Sequence, residues 1–295
     1  MRERLLHVTV TLSIVGVMVG GCAALPVGRF DSLAAAGKNV EVKTRDADAR
    51  VVKMTRQYMI FNPAEGDYTV KSFAPTVKDD GRTYDFDFGP RLEVREAALE
   101  VLTNYLEALA AFARKDYQGD LDEATQSLDG SVLRLATHFA GAEGAKQGAG
   151  ILATAINGLG RAAIDHIRRA ELKKAMGIAR PGIGQISAFV TDIDVELAAA
   201  TQVMRGGMLR RANTAKAGAQ AATVIELNSR VDGVIVDAAD LLEALKTITS
   251  AVQKIGPAHD EIAAALDGDD RAPLKKLADL VAEVKRLQSF RTSLK

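Results

Sequence analysis

Apolar residues recur at Val224, Leu227, Val231, Val234, Ala238, Leu241, Leu245, Ile248, Val252 and Ile255, in steps that alternate three and four. A stripe of that period is the seam of a long α-helix, roughly 48 Å at about 1.5 Å per residue. It has to be covered by other long helices, of this chain or of another copy. The expected fold is therefore all-α: an elongated helical bundle with coiled-coil-like long helices, open to self-association through its seams.

The bulk composition narrows the partners. Of 295 residues, 47% are apolar, enough for a sizeable core. Lys plus Arg and Asp plus Glu both number 38, so the basic field of a nucleic-acid binder is missing. Beyond residue 118 the aromatic residues are Phe139, Phe189 and Phe290, so the second half packs with Ala, Leu, Val and Ile. The one cysteine, Cys22, excludes an internal disulfide and a multi-cysteine metal site.

Residues 1–21 begin with Arg2 and Arg4, continue through an apolar run from Leu5 to Val19 and lead into Val19-Gly20-Gly21-Cys22. That order of basic start, apolar middle and small residues is a secretion signal. Its last four residues resemble the lipobox of bacterial lipoproteins. The resemblance covers residues 1–22 and implies cleavage before Cys22, acyl chains on its thiol and a membrane anchor. Two or more acyl chains hold a protein on a bilayer almost permanently, at about 0.8 kcal/mol per buried CH₂. Ala23 stands where an Asp would signal inner-membrane retention in Gram-negative lipoproteins. The resemblance thus implies the periplasmic face of the outer membrane, or the cell membrane of an organism with one membrane. Without residues 1–21 the chain carries 36 basic and 37 acidic residues, since two Arg and one Glu leave with the signal.

Residues 22–43 contain Pro26, Gly28 and Gly37 without sustained periodicity, and read as the acylated cysteine and a tether. Residues 44–295 read as the bundle domain, with a first helix from Thr44 to Phe61 ended by Asn62-Pro63. Between residues 66 and 89 the period changes to two, from Tyr68 through Phe73 and again over Tyr84-Asp85-Phe86-Asp87-Phe88, around Asp79-Asp80-Gly81. This is a hairpin signal. Asp79, Asp80, Asp85 and Asp87 would suit a cation loop but lack the ligand order of an EF-hand, and fit a solvated strand face better.

Pro90, Glu93 and Glu96 mark a helix start, and Leu92, Leu99, Leu102, Leu106 and Leu109, widened by Ala98, Val101, Tyr105 and Phe112, give it a face broad enough for several neighbours. Another helix follows Gly119, with Leu121, Leu128, Val132 and Leu135. Residues 141–160 hold six glycines and no charge between Lys146 and Arg161. Those uncharged residues would span only about 21 Å as helix, short of a bilayer core. Small residues at Gly144 and Gly148 instead allow close helix approach. Gly158-Leu159-Gly160-Arg161-Ala162-Ala163 fits the dinucleotide fingerprint letter by letter but sits in Ala-rich helical sequence, not after a strand. His138, His166 and His259 are isolated, with His259 expected in a polar first turn after Gly256-Pro257. No nucleophile motif, metal set or cofactor loop is present, so the chain reads as non-catalytic and without a cofactor.

After a turn at Arg180-Pro181-Gly182-Ile183-Gly184, a second seam runs through Ile186, Val190, Ile193, Leu197, Ala200 and Met204. Carried forward it would reach residues 221 and 225, whereas the first seam uses Gln220 and Val224. A break or bend at Gly206-Gly207 would supply that one-residue slip. No acidic residue lies from Leu197 to Ile225, while Arg205, Arg210, Arg211 and Lys216 do. These four are a solvated basic face or contacts to anionic lipid or an anionic envelope component. Short helices close the chain, the last carrying Leu277, Leu280, Val284 and Leu287. The functional expectation is a membrane-anchored envelope lipoprotein that acts as a helical scaffold or docking module. The alternative is a membrane-active protein using residues 141–164, which resembles the haemolysin E type of pore-forming fold in size and layout.

Overall fold

The computed structural model describes residues 25–61, 76–79, 82–85, 88–114, 117–139, 141–159, 165–268 and 273–290. Among them are seven helices: α1 (Val27–Phe61), α2 (Gly89–Ala113), α3 (Tyr117–His138), α4 (Glu143–Asn157), α5 (Asp165–Lys216), α6 (Ala221–Ala265) and α7 (Lys275–Ser289). The fold is an all-α helical bundle, with one small antiparallel hairpin of β1 (Thr76–Asp79) and β2 (Arg82–Asp85) between α1 and α2. The second strand overlaps the alternation expected at Tyr84-Asp85; the first lies after, not within, Tyr68–Phe73, which falls outside the described residues.

The centre of the bundle is α2. From Val101 to Ala113 every residue except Glu107 is buried, because α1, α3, α4 and α5 all pack on it. Its broad apolar face is the cause, as a wide stripe needs several neighbours. The long seam helix α6 lies to one side, between α5, α1 and α7. Ion pairs fix the directions: Arg114, just after α2, meets Asp31 near the start of α1 at 2.9 Å, and Arg95 near the start of α2 meets Asp48. Arg168 at the start of α5 donates to the carbonyls of Phe112 and Arg114 and lies 5.6 Å from the Phe112 ring centroid, so a cation closes the C-terminal end of α2.

Several expectations are corrected. Residues 27–43 are not tether but the first half of α1, with Phe30, Leu33 and Val40 buried. Their seam steps through Phe30, Leu33, Gly37, Val40, Thr44, Ala47, Val51, Met54 and Tyr58, a three–four repeat hidden by small and polar members. Gly37 lets α1 and α2 approach closely there, since a Cβ would meet Leu106 Cδ1 at 2.7 Å and the leucine would have to shift. Residues 180–184 are not a turn. Helix α5 runs through Pro181, whose exposed position turns the lost backbone bond toward water, and Gly182 is a contact residue. A Cβ on Gly148 of α4 would lie 2.9 Å from the Gly182 carbonyl, and one on Gly182 would lie 2.7 Å from the Gly148 carbonyl, so α4 and α5 cross backbone to backbone. Gly144 has no such neighbour and takes no part.

The slip between the two seams does not fall at Gly206-Gly207 either. Helix α5 continues to Lys216, and Gly207 admits the Tyr58 ring, 2.7 Å from where its Cβ would be. The break comes further on, where Gly218 takes φ 80° between α5 and α6. Helix α6 likewise passes through exposed Pro257 without ending.

Candidate functional site

The expected lipidation residue, Cys22, lies outside the described residues. Among the described residues, Leu25 is already buried and α1 begins at Val27. Leu25 stands three positions after Cys22 in the sequence. The same end of the molecule holds the start of α5 and the end of α6, joined by a 3.1 Å hydrogen bond from Arg169 to the Leu266 carbonyl and by the Lys173–Asp267 ion pair.

Arg205, Arg210, Arg211 and Lys216 are at the other end. Lys216 is 48 residues along α5 from Arg168 (216 − 168), about 72 Å at about 1.5 Å per residue. A bilayer holding Cys22 and those four cations would have to touch opposite ends of the bundle. They also fail to form one face. At about 100° per residue, half-buried Arg205 and Lys216 point one way while exposed Arg210 and Arg211 point to two others, making a basic belt around the helix.

Between the ends lies a polar feature the seams conceal. The Arg95 side chain is fully buried and paired to Asp48 of α1 and Asp194 of α5, and Thr249 of α6 donates to Asp194 at 2.8 Å. Four helices meet on this cluster. Burial pushes the Asp48 carboxyl up to about 7, against the opposing pull of Arg95, with Glu96 and Asp194 adding to the rise. Asp194 is raised for the same first reason, burial, while Arg95 and the Thr249 hydroxyl oppose it. With both carboxylates ionised the cluster would carry one uncompensated negative charge in the core, and a proton on Asp48 removes it.

Further along α2, one turn after Leu102, the chain makes a second buried polar pair. The Tyr105 hydroxyl lies 2.9 Å from His259 Nε2, both residues being inaccessible to solvent. His259 is thus inside α6 and inside the core, not in a polar first turn. The Tyr105 phenol is held well above its ordinary range, by burial first and Asp260 second. This pair joins α2 to α6 at one buried point and offers no open face to a substrate.

Open grooves lie near the end of the bundle where α1 and α5 start. One, of about 580 Å³ between α1, α2 and α3, has an alanine floor with Asp31, Glu107, Arg114 and Glu123 on its walls. Another, of about 550 Å³, is lined by Arg169, Lys173, Lys174 and Asp267. Among the described residues no group of three or more His, Cys, Asp or Glu is placed to hold a metal ion. The fingerprint-like Gly158-Leu159-Gly160 follows helix α4, so its phosphate-binding context is missing. Among the described residues no helix is long and apolar enough to cross a membrane.

The signal for the Arg95 cluster was in the sequence, as a charge at a stripe position between Leu92 and Leu99 and another beside Ile193. Such interruptions read as surface until the partner helices are in place. No protein-family model, curated protein or solved structure matches the chain.

Proposed function

We propose that this chain is a non-catalytic lipoprotein of the cell envelope, anchored through acyl chains on Cys22, that works as a rigid helical spacer presenting a docking end away from its membrane. In an envelope with two membranes, the lipobox and Ala23 favour the periplasmic face of the outer membrane. The observation that carries the reading is the short path from Cys22 to buried Leu25 combined with a 52-residue helix that starts at that end. Anchored at that end, a bundle this long reaches up to about 70 Å from the bilayer at about 1.5 Å per residue. The Gly148–Gly182 crossing favours this reading over a membrane-active one, since releasing α4 into lipid would undo a backbone-close contact.

The test is acylation and fractionation of the full chain. Wild type should carry diacylglycerol on the Cys22 thiol and sediment with membranes, and Cys22→Ser should accumulate as unprocessed precursor. Mass spectrometry that finds a mature wild-type chain with a free thiol would refute it.

A further inference from the structure

The ion pairs that join α1 to its neighbours differ in one respect. Asp31–Arg114, Arg45–Glu96 and Lys53–Asp237 lie in water, whereas Asp48–Arg95 is buried. Exposed pairs contribute little, so the charge state of the buried one governs how firmly this part of α1 is seated. Helix α2 runs antiparallel to α1 and begins at Gly89, shortly before Arg95, so among the described helices the turns of α1 beyond Met54 rest on α5 and α6. There the Tyr58 ring fills the gap left by Gly207, and the Thr55 hydroxyl donates to the Met204 sulfur at 3.7 Å.

At the root of these turns the charges do not balance. Asp48 faces Arg95 and Glu96 of α2 and Asp194 of α5, and α6 adds only the neutral Thr249 hydroxyl, which is donated to Asp194. Along α1 itself Arg45 is paired to Glu41 and Glu96. Lys43, Asp46 and Arg50 border a small cavity on the side of α6 and α7, where α7 presents Leu287 and Phe290. Two carboxylates thus share one guanidinium, and Asp48 Oδ2 is buried with no hydrogen-bond partner among the described residues. An ionised carboxylate with an orphaned oxygen is costly in that setting, and a proton on it removes the excess charge.

We propose that residues 48–61, the last turns of α1, form a strap across α5 and α6 that is latched while Asp48 keeps its proton and released when Asp48 ionises. Burial pushes the Asp48 carboxyl up to about 7, against an ordinary value of 3.8 once the strap opens into water. The closed strap therefore holds a proton that the open one gives up. Closure is favoured in acid, and the opening constant grows by up to about tenfold per pH unit between about 4 and about 7, then levels off. Released, the strap bares the Met204 side of α5, while α2 keeps α3, α4 and α5 as neighbours. Nothing in this strap depends on the anchor at Cys22.

The test is hydrogen exchange read by mass spectrometry on the full chain in detergent, from about pH 5 to about pH 8, with rates corrected for base catalysis of exchange itself. Protection of residues 48–61 should fall by about tenfold per unit up to about pH 7, with Val101–Ala113 of α2 more protected at every pH. Asp48→Asn should remove the slope. Asp194→Asn leaves one carboxylate per guanidinium, should keep the strap closed at the alkaline end, and decides the matter where the first variant folds poorly. Circular dichroism checks both. Corrected exchange that ignores pH, equal slopes in wild type and the variants, or equal protection of residues 48–61 and 101–113 throughout would each overturn the proposal.

Discussion

Asp48 on α1 and Asp194 on α5 are both ion-paired to the one guanidinium of Arg95, so two helices are tied to a third through a single fully buried cation. Thr249 extends the tie to α6. Such a cluster is a poor source of net stability, because desolvating three charges costs about as much as their attraction returns. Its value lies in register: any axial slide of α1, α2 or α5 strands a charge in the core.

Removing the cation should therefore be severe. Arg95→Ala leaves two buried carboxylates facing each other and should lower unfolding free energy by about 3 to 5 kcal/mol, read from denaturant midpoints. Replacing Arg95, Asp48 and Asp194 together by apolar residues of similar volume should recover most of that loss. Equal stability of Arg95→Ala and wild type would place the cluster in water.

The same cluster sets a pH dependence. The Asp48 carboxyl lies near 7 in the folded chain and near 3.8 in the unfolded one, so between these values the folded state holds a proton that the unfolded state has released. Stability should fall as pH rises from about 4 to about 7 and level off above, opposite to the usual carboxylate trend. Asp48→Asn should flatten that slope in denaturation measured across the range.

Gly148→Leu should force α4 off the Gly182 carbonyl and cost about 1 to 3 kcal/mol. Gly144→Leu, with no atom within 4 Å of its Cβ position, should leave thermal unfolding almost unchanged. Similar losses at both positions would show that the crossing does not depend on glycine.

On the seam of α6, Leu241 is fully buried and its neighbour Asp240 is exposed. Leu241→Asp should cost several kcal/mol through an unpaired buried charge, and Asp240→Ala only a few tenths. Thermal melts of the two variants check the difference.

The seams of α5 and α6 and the broad face of α2 were legible in the chain, because apolar side chains at a three–four spacing report burial whatever their partners are. The same rule failed for α1. Its seam places Gly37, Thr44 and Ala47 where apolar bulk is expected, and Gly37 is small because Leu106 of α2 occupies the space. Proline and glycine misled in the same way: Pro181 and Gly182 read as a turn, yet one faces water and the other faces the backbone of α4, contexts that exist only once the helices are packed. The local sequence determined that long helices form, which positions they bury and that the first residues resemble a lipoprotein signal. Tertiary packing decided that α2 is the centre, that Arg95 is inside, and that the basic belt and the start of α1 lie at opposite ends, because burial and distance depend on which helices meet and no local pattern encodes that.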